Sequence, residues 1–115
     1  NSISDISALA DLTNLKALWS WGNDISDVST LAGLTNLEAL VLTDNLIDDI
    51  SSLTGLTNLE TIGIGGNSIS DISPLVENSG LSAGDTVDLS GNPLSTTSVN
   101  VYIPQLEDRG VTIIY

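Results

Sequence analysis

The stretch that decides the fold is Leu37-Glu38-Ala39-Leu40-Val41-Leu42-Thr43-Asp44-Asn45. Residues 40 to 43 alternate with the period of a strand. Leu40 and Leu42 are directed to one face, and Val41 and Thr43 to the other. The pattern returns 22 residues later, from Leu59 to Asn67, with isoleucine at two apolar positions. It also stands 22 residues earlier, from Leu15 to Asn23, with Ser20 where an apolar residue belongs. That serine predicts a disturbed first strand. The flanking positions keep the same phase: Ile3, Ile25, Ile47, Ile69; then Ile6, Val28, Ile50, Ile72; then Leu9, Leu31, Leu53, Leu75. So short a strand cannot bury its apolar face alone, so neighbouring units must stack.

The unit L-x-x-L-x-L-x-x-N resembles the leucine-rich repeat family in its 22-residue class, and in particular bacterial internalin-like surface proteins. The resemblance covers nearly the whole chain. It implies an α/β leucine-rich repeat solenoid. A short parallel concave sheet is backed by 3₁₀ or short helical turns on the convex side, and a helix and strand cap the C-terminus. Residues 1–94 then form the repeats and residues 95–115 the cap. The last asparagine spacing, from Asn67 to Asn92, is 25 rather than 22. Residues Asn78 to Asp85 accommodate the extra length, and Leu81 takes the place of Leu56.

Composition removes whole classes of chemistry. The chain has 115 residues, no Cys and no His, so thiolate nucleophiles, Ser-His-Asp triads and zinc clusters are excluded within it. Fifteen acidic residues face two basic ones, Lys16 and Arg109, for a net charge of -13. That balance argues against a nucleic-acid backbone or an anionic membrane as partner. No apolar run reaches the ~18 residues that span a bilayer, so no membrane insertion is expected. There is no carboxylate pair with the apolar enclosure general acid catalysis needs. Gly63-Ile64-Gly65-Gly66 has no lysine and no long helix after it, so it is not a phosphate loop. The expectation is a protein that is not an enzyme and has no cofactor.

Asn23, Asn45, Asn67 and Asn92, with Asn1 one step earlier, are expected where the chain leaves each strand, their amides satisfying buried backbone groups. Asp5, Asp27, Asp49 and Asp71 precede Ser7, Ser29, Ser51 and Ser73 and read as caps of short convex turns. Stacking would bring these carboxylates about 5 Å apart, the usual strand spacing. A bound cation is the alternative for such a row, with Asp44, Asp48 and Asp49 the densest group. No calcium-loop motif is present, and no metal site is assigned.

Near the C-terminus, Val99, Ile103 and Leu106 follow helical spacing, Pro104 suits the first turn of a second short helix, and Gly110 stops it. Residues Val111 to Tyr115 read as a closing strand. The elements Asn92-Pro93-Leu94-Ser95, Tyr102 to Leu106 and Arg109-Gly110-Val111 resemble caps of bacterial leucine-rich domains, so this end is expected to be complete. The other end begins in mid-unit. It predicts upstream repeats in a longer parent, or a partner or fusion that covered this end, and so an incompletely capped edge open to self-association.

Outward strand positions build the expected ligand face: Trp19, Trp21, Ala39, Val41, Thr43, Gly63, Gly65 and Asp88. Both tryptophans project from one strand, beside a glycine hollow. Tryptophan is enriched at binding hot spots. The expected partner is a protein, with carbohydrate stacking on the indoles as an alternative. The resemblance implies an extracellular or cell-surface bacterial recognition module. The competing reading is a structural spacer in a larger protein.

Overall fold

The computed structural model describes residues 2–115; Asn1, read above as the first of the asparagine series, lies outside them. Among the described residues there are five three-residue strands: β1 (Ala17–Trp19), β2 (Ala39–Val41), β3 (Thr61–Gly63), β4 (Thr86–Asp88) and β5 (Thr112–Ile114). They form one parallel sheet in chain order. Register follows the repeat, with Leu18 beside Leu40, Leu40 beside Ile62, and Ile62 beside Val87. These central residues turn inward. Parallel strands need a crossover, and here the rest of each unit supplies it on the opposite side. A 3₁₀ turn at Ser7–Asp11 leads into β1, and the crossovers between the next strands are 3₁₀ turns at Ser29–Gly33 and Ser51–Leu53, then the helix α1 (Ser73–Glu77). Pro74 stands in the first turn of α1, where its missing N–H costs no hydrogen bond.

The core is the stack of phased leucines and isoleucines. Leu31, Leu34, Leu37, Leu40, Leu56, Ile69, Leu75, Val87 and Leu89 are all fully buried. Beside them runs a column of asparagine amides. Asn67 Nδ2 donates to the carbonyls of Leu42, Ile64 and Gly65, and its Oδ1 accepts the Ile47 N–H. Asn45 repeats this with Ser20, Leu42, Thr43 and Ile25. Asn92 bonds to Ile64, Leu89 and Ile69. Each amide therefore joins its own turn to the preceding one, and it satisfies backbone groups that no strand ladder reaches.

The first strand keeps its place despite Ser20. Ala17 lies beside Ala39 and Trp19 beside Val41, in the register of the other strands. Ser20 Oγ accepts from Asn23 Nδ2 at 3.1 Å. The hydroxyl takes the place of the carbonyl three residues back that accepts from Asn45, Asn67 and Asn92. The expected disturbance is absent because serine corrects a hydrogen-bond deficit while giving up apolar contact.

A second amide column escaped the sequence reading. Asn36 Nδ2 donates to the Thr13 carbonyl and Asn58 Nδ2 to that of Thr35. Its signal was the recurrence of Asn14, Asn36 and Asn58 in the same phase.

At the C-terminus the helical stretch is a π turn, Ser98–Tyr102, running directly into α2 (Ile103–Asp108). Pro104 falls in the first turn of α2, and the widened π turn before it accommodates the proline ring. Buried Ser98 anchors this cap, donating to the Ser70 carbonyl at 2.7 Å and accepting the Ile72 N–H at 3.2 Å. Arg109 donates to the carbonyls of Val76 and Asn78, groups left open where α1 ends. The final strand spans Thr112–Ile114, shorter at both ends than the apolar run suggests.

Candidate functional site

Side chains on the sheet face opposite the core form rows set by the register. One row runs Trp19, Val41, Gly63, Asp88, Ile114. Main-chain pairing continues past the strand ends: Gly22 N–H donates to Thr43, Asp44 N–H to Gly65 and Gly66 N–H to Ser90. This carries a second row, Trp21, Thr43, Gly65, Ser90, along the same edge. A third row is Ala17, Ala39, Thr61, Thr86. The structure therefore assembles all the expected positions on one surface.

They are not equally available. Trp19 and Trp21 keep 69% and 65% of their surface exposed, the two largest apolar side chains left open among the described residues. Ala39, Val41, Thr43 and Asp88 are half-buried. With Ile3, Ser20, Gly22 and Asn23, the indoles line a shallow depression of about 510 Å³. Ile3 was not expected there. It reaches the indoles because its N–H is tied to Asn23 Oδ1 and its carbonyl to Asp24 N–H.

The two glycines differ. A Cβ on Gly65 would lie 2.9 Å from the Ser90 carbonyl oxygen and 3.0 Å from Ser90 Oγ, and Gly65 is buried. Its glycine serves close packing of the next turn. That corrects the expectation that Gly65 forms part of an open hollow. At Gly63 a Cβ would meet only ordinary contacts, 3.5 Å from Thr43 Oγ1 and from Val41 Cγ1. The hollow is therefore narrower than the glycine pattern implied and centres on Gly63. Asp88 closes it, its Oδ1 accepting the Ser90 N–H at 2.9 Å and Ser90 Oγ–H at 2.6 Å.

A further carboxylate lies beside this face. Asp44 holds the left-handed backbone conformation, φ 57°, that Gly22, Gly66 and Gly91 hold in the other turns. Its carboxylate covers Gly66, where a side chain would collide with it. The signal in the sequence was the residue before each column asparagine: Gly, Asp, Gly, Gly.

The convex side carries the aspartate row. Asp5, Asp27, Asp49 and Asp71 each accept the N–H of the serine two residues on, at 2.8 to 2.9 Å. These are the expected caps. Hydrogen bonds from the Ser29 side chain and backbone hold the Asp27 carboxyl below its ordinary range, and the nearby Asp5 charge opposes this weakly. At Asp49 the backbone and hydroxyl of Ser51 lower it against the charge of Asp27. At Asp27 and Asp49 the neighbouring carboxylate repels, and the serine hydrogen bonds outweigh it. Asp27 and Asp49 border a convex depression of about 330 Å³. Among the described residues, no three His, Cys, Asp or Glu side chains converge as a metal ligand set, and Asp44 and Asp49 lie on different faces. No helix in the described residues is long and apolar enough to cross a membrane.

Comparison with known proteins agrees with this geometry. A family model for leucine-rich repeats in two copies matches residues 36–77. The crystal structure of internalin C2 from Listeria monocytogenes is similar over 97% of this chain, with 31% identity and a TM-score of 0.75. A leucine-rich repeat protein of Leptospira interrogans matches over 100% of the chain with a TM-score of 0.84, and at 23% identity it shows the shared fold alone. The chain spans 46% of the first and 29% of the second, less than half of either. A sequence search of curated proteins finds no match. The fold is thus a leucine-rich repeat solenoid, and the chain carries leucine-rich repeats resembling those of internalin-like proteins.

Proposed function

We propose that this leucine-rich repeat solenoid is a non-catalytic protein-recognition module of a bacterial surface or secreted protein, and that it binds through the concave face. Leucine-rich repeats in general mediate contacts between proteins, and that general role is the frame for the proposal. The observation that carries the specific site is the pair of indoles. Trp19 and Trp21 stand exposed on and just beyond β1, the edge strand of the parallel sheet. Exposing two large aromatics forgoes burial worth about 2 kcal/mol each, so their presence here is better explained by a partner than by the fold. Neighbouring Val41 and Thr43 extend the ridge into a contact surface without adding charge. The spacer reading gives these side chains no task.

Site-specific photo-crosslinking tests this. A photoreactive residue replacing Val41 samples the concave face, and one replacing Ala32 samples the convex turns. The expected result is a discrete protein adduct from position 41 and none from position 32. Unlabelled protein should compete it away, and unlabelled protein carrying Trp19→Ser and Trp21→Ser should not. Equal adducts from both positions, or equal competition by the double variant, would return the module to the role of a spacer.

A further inference from the structure

Gly63 is a concave glycine that crowding and backbone conformation do not explain. Its backbone is not in the left-handed region, and a Cβ there would meet ordinary van der Waals contacts. Glycine in a strand weakens it, by about 0.5 to 1 kcal/mol against alanine. Gly65, Gly66 and Gly91 are each accounted for by crowding or by positive φ. Gly63 gains nothing of the kind, and a bare strand backbone is what a closely approaching ligand group requires. In its row it lies between Val41 and Asp88. One wall is aliphatic and the other is a carboxylate. Ser90 orients that carboxylate through Oδ1, while Oδ2 has no partner among the described residues.

We propose that this hollow seats a lysine or arginine side chain of a basic protein segment, with its aliphatic stem over Gly63 against Val41 and its charge on Asp88. The assignment rests on the concave-face reading above and names the chemistry of its partner. Charge complementarity supports it. The protein carries 15 acidic side chains against two basic ones, and Arg109 is committed to backbone carbonyls of the cap. Such a field draws basic segments and repels acidic ones. The ridge of Trp19 and Trp21 borders the approach, and indoles favour cationic side chains over acidic ones.

The test uses three acetylated, amidated tetrapeptides as probes, made of arginine, of serine and of glutamate. Each is titrated into ¹⁵N-labelled protein at low salt. The arginine peptide is expected to shift the amides of Gly63, Asp88 and Ser90 along a saturable curve, and the other two are not. Asp88→Asn keeps the acceptor for Ser90 and removes the charge, so it should weaken the arginine curve by about fivefold. Gly63→Val fills the hollow and should do the same, with a melting temperature no lower than that of the parent showing that the fold survives. Two results would overturn the anchor. One is shifts gathered around Asp27 and Asp49 on the convex side, as for unspecific attraction to charge. The other is a curve that Asp88→Asn leaves unaltered. Concave recognition itself is judged separately by the crosslink at position 41, so either idea can fail while the other stands.

Discussion

The first turn and the second have nearly the same sequence and very different surroundings. Ile3 is 49% exposed while Ile25, one repeat on, is fully buried. Leu12 is 48% exposed while Leu34 is fully buried. Both Asn67 and Asn23 accept an N–H of the preceding turn, but Asn67 Nδ2 also donates to carbonyls of two successive turns, whereas Asn23 Nδ2 donates, among the described residues, only to its own Ser20 and Trp21. A repeat's stability therefore resides mainly in its interfaces with neighbours rather than in its own residues. The exposed tryptophans occur in the turn whose Ile3 and Leu12 are least covered, so the proposed recognition surface and the least buried repeat share one end of the sheet.

Substitutions at equivalent positions would sharpen or break this contrast. The largest difference is expected in the amide column. Asn67→Ala strands three carbonyls and one N–H in the core and should cost about 3 kcal/mol or more, while Asn23→Ala should cost about 1 kcal/mol. Urea unfolding of both variants measures this, and equal losses would mean that the turns contribute independently of their neighbours. Next comes the apolar pair. Leu34→Ala should destabilise by about 3 kcal/mol, and half-exposed Leu12→Ala by under about 1 kcal/mol. Thermal melts of the two single variants would show it.

The smallest effect concerns the convex caps, where the first and second turns ought to behave alike. Asp5 and Asp27 bond to equivalent serines, Ser7 and Ser29, which hold both carboxyls below their ordinary value. A depressed carboxyl stabilises the fold above its unfolded pKa, and the contribution disappears as pH falls through the folded value. Replacing either by Asn should therefore flatten the stability profile below about pH 4 and leave its slope near pH 7 unchanged. Denaturant midpoints collected between pH 2 and pH 7 follow this. A flattening confined to Asp27→Asn would show that the first cap does not form in solution.

The repeat, the inward leucines and isoleucines, the column asparagines and the aspartate caps were all legible in the residues, because each role recurs at 22 positions and one physical argument covers every copy. The site was legible in part. Alternation alone assigns Trp19, Trp21, Val41 and Asp88 to the outer face. The difference between Gly63 and Gly65 was not legible, since it depends on how closely Ser90 of the following turn approaches. Asp44 was missed because its left-handed backbone appears only against the glycines at the matching positions. Ile3 joined the indoles through a bond spanning 20 residues.

Sequence by itself determined the period, the solenoid, its parallel sheet and which side chains face inward, for these follow from local spacing repeated in phase. Only the tertiary structure decided which repeat positions are truly covered, which glycine has room for a side chain, and how Ser20 bonds Asn23. Those depend on distances between neighbouring turns, and a periodic sequence states the same residues wherever the neighbour is present or open to solvent.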